Sequence, residues 1–466
     1  MNVLLIRPKP DKETIGLQHV MVCEPLELEY LAANMEQTDA NIEILDMILE
    51  KKPLEYFMEK YKPDVVGMSG YITHVNVIKD YACRIKRVIP HCRIVVGGVY
   101  AEVVPEDFIS IHIDFIVEAN GPITFNAVLK HLDKKEQSIE KNIEKSITDI
   151  DIQGTYKPGR RSLKDTSFLY LFPDRQKVER YRHKYYYMFH NPCALVKTAY
   201  GCPYNCSFCF CKEITDGKYF TRTIDSVIEE LKEIPEPEIY IVDDDFLFSR
   251  ERILEFCHKL AENKINKKFL VYGRTDFVSK NEDVIKTFRD HGLRAVIVGL
   301  ESFKNEDLDK YNKMTSIYEN EAAISILKKY DIEVYGTLIL GMDFSKEDFV
   351  HLYQWLKKID ITFVNLQPLT PLYGTGIFQE YEKDLVIARE EFEKWDLAHL
   401  VLKPQKMSVR RYYFEMVKLY YKITMRPKNI LRLIRKYGLS EVLKLSIGSS
   451  AVTIQYMQKI LRGKSR

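Results

Sequence analysis

Two stretches of the chain alternate short apolar runs with segments whose apolar residues recur every three to four positions. In the first stretch, the apolar runs are Val3–Ile6, Ile42–Leu45, Asp64–Met68, Arg93–Val96 and Phe115–Val117. The helical periods around them are Leu26–Met35, Leu54–Tyr61, Val77–Val88 and Thr124–Leu132. Strands alternating with helices predict a doubly wound parallel sheet that binds its ligand beyond the carboxyl ends of the strands. The predicted fold is α/β, with a Rossmann-like domain over 1–133.

The second stretch, 191–389, shows the same alternation. Its predicted strands are Leu195–Thr198, Ile239–Val242, Phe269–Tyr272, Ala295–Val298, Val334–Ile339 and Phe363–Leu366. The intervening helices are Ile224–Glu233, Arg252–Asn263, Glu282–His291, Tyr318–Lys329 and Lys346–Lys357. Six strands and five helices predict a partial (β/α)6 barrel, whose catalytic groups lie at the carboxyl ends of its strands.

The two remaining parts have a different character. Residues 134–190 lose the alternation and read as an interdomain linker with some packing of its own. Residues 390–466 read as a helical, basic C-terminal region, in which Glu415 and Glu441 are the only acids after Lys403. Basic helices with an apolar face favour peripheral contact with an anionic membrane, while the alternative is a solvated helical cap over the barrel.

Composition places the chain among ordinary globular proteins. It has 466 residues, a net charge of +2 and 46% apolar residues, so the overall charge gives no reason to expect nucleic acid. No apolar run reaches the roughly 20 residues that span a bilayer, and Met1 leads directly into a strand-like run. We therefore expect a cytoplasmic protein, at most attached to a membrane surface, whose clustered cysteines bind metal rather than form disulfides.

A tight cysteine motif carries the predicted chemistry. Cys202, Cys206 and Cys209 have the spacing C-x3-C-x2-C on a loop directly after a predicted strand. Three thiolates can hold three corners of an iron–sulfur cube and leave one iron open. The alternative is a zinc knuckle, which usually needs four ligands; Cys211 could supply the fourth.

This motif and its surroundings resemble the radical S-adenosylmethionine (SAM) superfamily. The resemblance implies a [4Fe–4S] cluster on the three cysteines, with SAM bound to the open iron. It also implies SAM contacts by Phe208, Asp243, Glu301 and Gly336. The residues alone leave other readings open: an acid at a helix start for Asp243, a surface acid for Glu301, and a glycine in a buried strand for Gly336.

The N-terminal domain resembles the cobalamin-binding domains that accompany some of these barrels. The segments that carry the likeness are Glu24–Ala32, Val65–Gly70 and Val95–Gly98. The resemblance implies that cobalamin contacts Ser69, Gly97 and Gly98, where glycines let the backbone approach the nucleotide tail closely. The chain lacks an Asp-x-His-x-x-Gly motif, so we expect no histidine ligand to cobalt. The alternative is a retained domain that no longer binds cobalamin.

The resemblance is nearest to the branch that includes the anaerobic bacteriochlorophyll cyclase and hopanoid- and lipid-modifying enzymes. It implies a methyltransferase acting on an unactivated carbon of a lipid-like or natural-product substrate, through a 5′-deoxyadenosyl radical and methylcobalamin. It further implies an electron donor such as flavodoxin or ferredoxin, and no nucleic-acid partner. A radical cyclisation, rearrangement or coupling remains open, as does a non-catalytic cobalamin or iron–sulfur sensor.

Overall fold

A computed structural model of the protein describes residues 1–16, 18–35, 40–136, 151–164 and 170–462. Among the helices in these ranges, none combines the length and the apolar character needed to cross a membrane.

The N-terminal part contains a five-stranded sheet in the order β3-β1-β4-β5-β6, with every neighbouring pair parallel. The strands of this part are β1 (Asn2–Arg7), β2 (Met21–Val22), β3 (Asn41–Asp46), β4 (Val65–Ser69), β5 (Arg93–Gly97) and β6 (Phe115–Ile116), of which β2 lies outside the sheet. The helices are α1 (Leu26–Ala33), α2 (Leu54–Tyr61), α3 (Val75–Val88) and α4 (Gly121–Glu136). The predicted α/β fold is confirmed.

Helices cover both faces of this sheet. Along β1, Leu4 and Ile6 pack on one side with α2 and α3, while Val3 and Leu5 pack on the other with α1 and α4. A strand buried on both faces needs apolar residues at every position, which is why the sequence shows continuous apolar runs here.

The second half of the predicted linker packs against the N-terminal sheet. It contains α5 (Glu179–Arg182) and β7 (Tyr186–Tyr187), and β7 pairs antiparallel with β2. Tyr181 and Tyr185 are buried in the core that lies over β1 and β3. Residues 175–187 therefore join the N-terminal core instead of acting as a solvated spacer. The domain boundaries themselves remain a prediction.

The barrel part contains a six-stranded parallel sheet in the order β15-β14-β13-β12-β11-β8. Its strands are β8 (Cys193–Val196), β11 (Glu238–Ile241), β12 (Lys268–Gly273), β13 (Leu293–Glu301), β14 (Glu333–Leu340) and β15 (Phe363–Pro368), while β9 (Ala199–Tyr200) and β10 (Phe220–Thr221) form a separate antiparallel pair. The helices are α6 (Cys211–Ile214), α7 (Ile224–Glu233), α8 (Arg250–Glu262), α9 (Thr275–Lys280), α10 (Glu282–Asp290), α11 (Asn305–Lys310), α12 (Ile317–Lys329), α13 (Lys346–Lys358) and α14 (Phe378–Tyr381). The predicted partial barrel is confirmed.

Alternate residues of these strands face opposite sides. Val296 and Val298 of β13 pack under the outer helices. Ile297 of β13 and Tyr335 of β14 face the interior of the barrel, where they form a separate inner layer. Leu26 and Tyr30 of α1 complete that inner layer. β8 is an edge strand of this sheet, and its Leu195 N–H donates a hydrogen bond to the Glu24 carboxylate at 2.5 Å. The N-terminal part of the chain therefore covers this edge of the barrel.

Three helices follow the barrel: α15 (Val409–Thr424), α16 (Pro427–Tyr437) and α17 (Leu439–Arg462). Ser408 caps α15 by accepting a hydrogen bond from the Arg411 N–H. Tyr412 is fully buried and donates to the Gly341 carbonyl at 2.8 Å, which fixes α15 to the end of β14.

Candidate active site

The start of the cysteine loop is held in place by tight packing and by a buried carboxylate. Gly201 begins it with φ +86°, and a Cβ there would collide with the Lys218 carbonyl. Just before it, the buried Asp243 carboxylate accepts hydrogen bonds from the N–H groups of Thr198 at 2.7 Å and Ala199 at 2.9 Å. The Asp243 carboxylate thus aims the loop across the carboxyl end of the barrel.

The three thiols of the motif share this loop and are partly exposed. The Cys209 N–H donates to the Cys206 carbonyl at 3.2 Å, which folds the loop into a turn between the two thiols. Burial raises the pKa of the Cys202 thiol to about 12, and a hydrogen bond from Cys211 lowers the pKa of Cys209. Within the described ranges, no three side chains are grouped so that they could bind one metal ion. An iron–sulfur cluster does not need such a group, because each cysteine binds a different iron.

Two buried cations lie beside Cys206. The Arg274 guanidinium is 4.0 Å from the Cys206 sulfur, stacks on the Tyr204 ring at 3.6 Å and donates to the Lys313 carbonyl at 2.6 Å. Burial raises the pKa of Cys206, while the charges of Lys313 and Arg274 oppose that rise. Arg274 therefore ties β12 to the cysteine loop and places positive charge where anionic thiolates would ligate iron.

Glu301 ends β13 in a strained conformation. Its φ is +58°, and the pairing with β14 is irregular at this point. The buried carboxylate pairs with Lys313 at 2.9 Å, and any side chain at Gly299 would displace both partners. A non-glycine residue at positive φ costs on the order of 1–3 kcal/mol, and such strain is typical of ligand-contacting positions.

The three acids after β11 separate into different roles. The Asp243 carboxylate accepts hydrogen bonds from Thr198 and Ala199, and its predicted SAM contact stays a prediction. Asp244 lies 3.8 Å from Lys197 and 3.6 Å from the Cys211 sulfur. Asp245 is buried without a hydrogen-bond partner in the described chain, and burial raises its pKa to about 7.

Polar side chains line the inner face near the carboxyl ends of the last strands. Thr337, Asn365 and Gln367 are half-buried, and none has a hydrogen-bond partner within the described ranges. Gly336 points the other way, since a Cβ there would meet Leu300 and Ile361 under the helices. Any SAM contact at Gly336 would therefore use its backbone. Phe208 packs edge-on against Tyr311 at 5.7 Å, and its predicted SAM contact stays a prediction.

The predicted cobalamin residues meet at the carboxyl edge of the N-terminal sheet. Ser69 and Gly97 are partners in the β4–β5 register, and Gly98 follows with φ +102°. A Cβ on Gly98 would lie 2.6 Å from the Ser69 hydroxyl and 2.9 Å from the Gly70 nitrogen. Only glycine leaves this edge open to a ligand.

The carboxyl edges of the two sheets face each other. Tyr200, after β8, donates to Glu102 at 3.1 Å, and Arg389 pairs with Asp107 at 2.6 Å. At Gly374, a Cβ would approach the Val103 side chain to 2.7 Å. Loops that follow β5 therefore contact loops at the carboxyl end of the barrel, and a ligand on either edge lies near the other.

The residues present fit the implied cofactors. Three thiols on one loop, flanked by buried cations, are the donor set of a [4Fe–4S] cluster with one open iron. The unpartnered inner-face groups Thr337, Asn365 and Gln367, with Asp244 and Lys197, offer hydrogen bonds suited to the amino acid, ribose and adenine parts of SAM. The glycine-lined edge at Ser69 suits the tail of cobalamin.

Family models match both parts of the chain. The Radical SAM superfamily matches residues 196–356, and the B12 binding domain matches residues 14–129. Fold and site together define a radical SAM enzyme that uses a [4Fe–4S] cluster, SAM and cobalamin. The chain belongs to the radical SAM enzymes that carry a cobalamin-binding domain before the barrel.

Individual relatives agree with this placement. The hopanoid C-3 methylase of Methylococcus capsulatus is 27% identical over 425 residues, covering 90% of this chain and 79% of that protein. The anaerobic magnesium-protoporphyrin IX monomethyl ester cyclase of Rubrivivax gelatinosus is 24% identical over 361 residues, covering 74% and 63%. The fold matches the cobalamin-dependent SAM radical enzyme OxsB with a TM-score of 0.70 at 15% identity, covering 98% of this chain and 72% of that one.

Sequence reasoning missed several residues of the site. Arg274 and Lys313 are far from the cysteines in sequence, and only the fold brings them to Cys206. Asn365 and Gln367 could have been found, because they share the inner face with Phe363 of the predicted strand.

Proposed function

We propose that this protein is a methyltransferase that acts on an unactivated carbon of a lipid-like or natural-product substrate. The observation that carries the proposal is the likeness to a hopanoid C-3 methylase over 90% of the chain, which includes both cofactor domains. The facing carboxyl edges of the two sheets also support the proposal, since a substrate carbon held between them would be within reach of both cofactors.

Within this proposal, the chain positions its cofactors rather than supplying a reactive group of its own. When bound, the cluster and SAM supply a carbon-centred radical and cobalamin supplies the methyl group. Cys202, Cys206 and Cys209 ligate the cluster, and Ser69 with the Gly97-Gly98 turn holds cobalamin.

The inner face of the barrel carries the groups that would orient SAM. Asp244 and Lys197 lie nearest the cysteine loop, where Asp244 is 3.6 Å from the Cys211 sulfur. Glu301 is anchored by Lys313, and Gln367 and Asn365 lie on the last strand. These groups come from strands at both edges of the sheet, β8 and β15, so they can fix the direction in which the reactive carbon points.

Aromatic side chains suit an apolar substrate in the cleft. Tyr272 projects from the inner face of β12 and is exposed to the cleft, and Tyr71 follows β4 and is also exposed. Their rings can cover a hydrocarbon surface and exclude water from the reacting carbon.

The proposal is tested with reconstituted holoprotein, a chemical reductant and SAM carrying a deuterated methyl group. Hopanoids and a total lipid extract of the native host serve as substrate probes. A product that contains the labelled methyl group supports the proposal, and Cys206→Ala, which should lack the cluster, is the control. Formation of 5′-deoxyadenosine with a changed but unlabelled product would point to cyclisation or rearrangement. Failure to cleave SAM at all would point to a sensor.

A further inference from the structure

The last helix exposes a stripe of large apolar residues. Its large apolar residues are between 43% and 71% exposed; they are Leu439, Leu443, Ile447, Ile454, Met457 and Leu461. Their spacings of three, four and seven residues place them on one side of α17. From Leu439 to Leu461 the stripe extends over 23 residues, about 33 Å at a rise of 1.5 Å per residue.

The opposite side of α17 is anchored to the protein. Gly448 packs so closely on His19 that a Cβ would collide with its carbonyl. Gln455 donates to the Thr14 carbonyl at 3.3 Å, and Lys459 pairs with Glu13 at 3.0 Å. The helix is thus held against the protein from Gly448 to Lys459.

The neighbouring helix extends the apolar surface. Phe414, Tyr421 and Met425 are exposed along α15 at spacings of seven and four residues. Tyr421 shares a hydrogen bond with Thr453 of α17 at 3.2 Å, so the two helices are joined there.

The charge around this surface is strongly positive. Residues 409–462 contain 12 lysines and arginines and only two acids, Glu415 and Glu441. Glu415 is buried and pairs with Arg411 and Lys418, while Glu441 pairs with Lys444. Across the described chain, four exposed cations of this region have no carboxylate partner: Arg410, Lys422, Arg435 and Arg432, of which Arg432 donates to the Thr362 hydroxyl.

We propose that the stripe of α17 docks on an anionic lipid surface. An apolar side inserted among acyl chains and cations at headgroup level are the features of an interfacial helix. A second copy of this chain is a poorer occupant, because a symmetric contact would bring two strongly basic surfaces together. The anchored side of α17 covers Glu13, Thr14 and His19, which follow β1 at the carboxyl edge of the N-terminal sheet, so docking holds the cofactor cleft close to the lipid.

The test is sedimentation of holoprotein with vesicles, of phosphatidylcholine alone or with one quarter phosphatidylglycerol. Leu443→Ser/Ile447→Ser/Ile454→Ser should bind the anionic vesicles at least tenfold more weakly. Ile111→Ser/Leu163→Ser, at two highly exposed positions of the N-terminal half, is the matched control and should bind like the wild type. Lys422→Glu/Arg435→Glu should weaken binding roughly fivefold per charge and reduce its salt dependence.

The iron and cobalamin content of each variant shows whether it is folded. The vesicle assay measures binding and does not require catalytic turnover. The inference is therefore separable from the proposed methyl transfer. It is overturned if the serine variant binds anionic vesicles as the wild type does, or if binding is equal on uncharged vesicles. It is also overturned if the wild type is a dimer in solution that the serine substitutions dissociate, because a second copy would then cover the stripe.

Discussion

Replacing Gly98 by alanine tests whether the glycine edge holds cobalamin. The backbone at Gly98 has φ +102°, outside the regions that alanine adopts easily. The new Cβ would lie 2.9 Å from the Gly70 nitrogen and 3.1 Å from its carbonyl oxygen, and backbone atoms cannot rotate away as a side chain can. The turn at Gly98 must therefore move in the variant, and cobalamin can bind as before only if the turn returns to its original conformation.

The size of the effect follows from that strain. Holding a non-glycine residue in such a conformation costs on the order of 1–3 kcal/mol. If binding restores the glycine geometry, the affinity for cobalamin falls roughly 5- to 150-fold, at tenfold per 1.4 kcal/mol. The [4Fe–4S] content should stay unchanged, because the cysteine loop lies on the barrel.

The assay is titration of cluster-loaded, cobalamin-free protein with hydroxocobalamin, followed by absorbance after gel filtration. Gly121→Ala is the control in the same part of the chain, since no atom lies within 4 Å of its added Cβ. Wild-type affinity in Gly98→Ala would refute the reasoning, as would an equal loss in Gly121→Ala.

Two further substitutions test the supports of the site. Asp243→Ala removes the acceptor of the Thr198 and Ala199 N–H groups, so thermal unfolding should show a loss of roughly 2–5 kcal/mol, with less iron bound; an unchanged melting temperature would contradict this. Burial raises the pKa of Glu102 from 4.5 to about 7, so the folded protein holds this proton more tightly than the unfolded chain. Wild type should therefore lose up to about 3 kcal/mol relative to Glu102→Gln as the pH rises from about 4.5 to about 7. Parallel curves for the two proteins in pH-dependent melting would contradict that expectation.

Most of the fold could be predicted because its strands are parallel and buried. Helix Leu54–Tyr61 has the predicted bounds, and the eleven predicted strands of the two sheets all occur with small shifts at their ends. The short helices Thr275–Lys280 and Asn305–Lys310 were missed, since one or two turns show too little periodicity. The packing of residues 175–187 was also missed, because its buried tyrosines are interrupted by charged residues.

The candidate site could be predicted where its residues lie close together in the sequence. Three cysteines on one loop are visible in the sequence, and the glycines at the end of β5 are visible as a pair. The contacts of the two neighbouring acids could not be predicted: Asp243 accepts from the Thr198 N–H, whereas Asp244 lies beside Lys197. Contacts such as that of Arg274 with Cys206 join distant segments, and only the packed barrel reveals them.

The most direct test of the account is the metal and cofactor content of anaerobically reconstituted protein. Wild type, Cys206→Ala and Cys257→Ala are compared for iron, sulfide and cobalt; Cys257 is a control because it is buried on the core side of α8, outside the cysteine loop. The account predicts about four irons and one cobalamin in wild type and Cys257→Ala, and loss of the iron with cobalamin retained in Cys206→Ala. A full cluster in Cys206→Ala, or wild type that takes up no cobalamin, would contradict it.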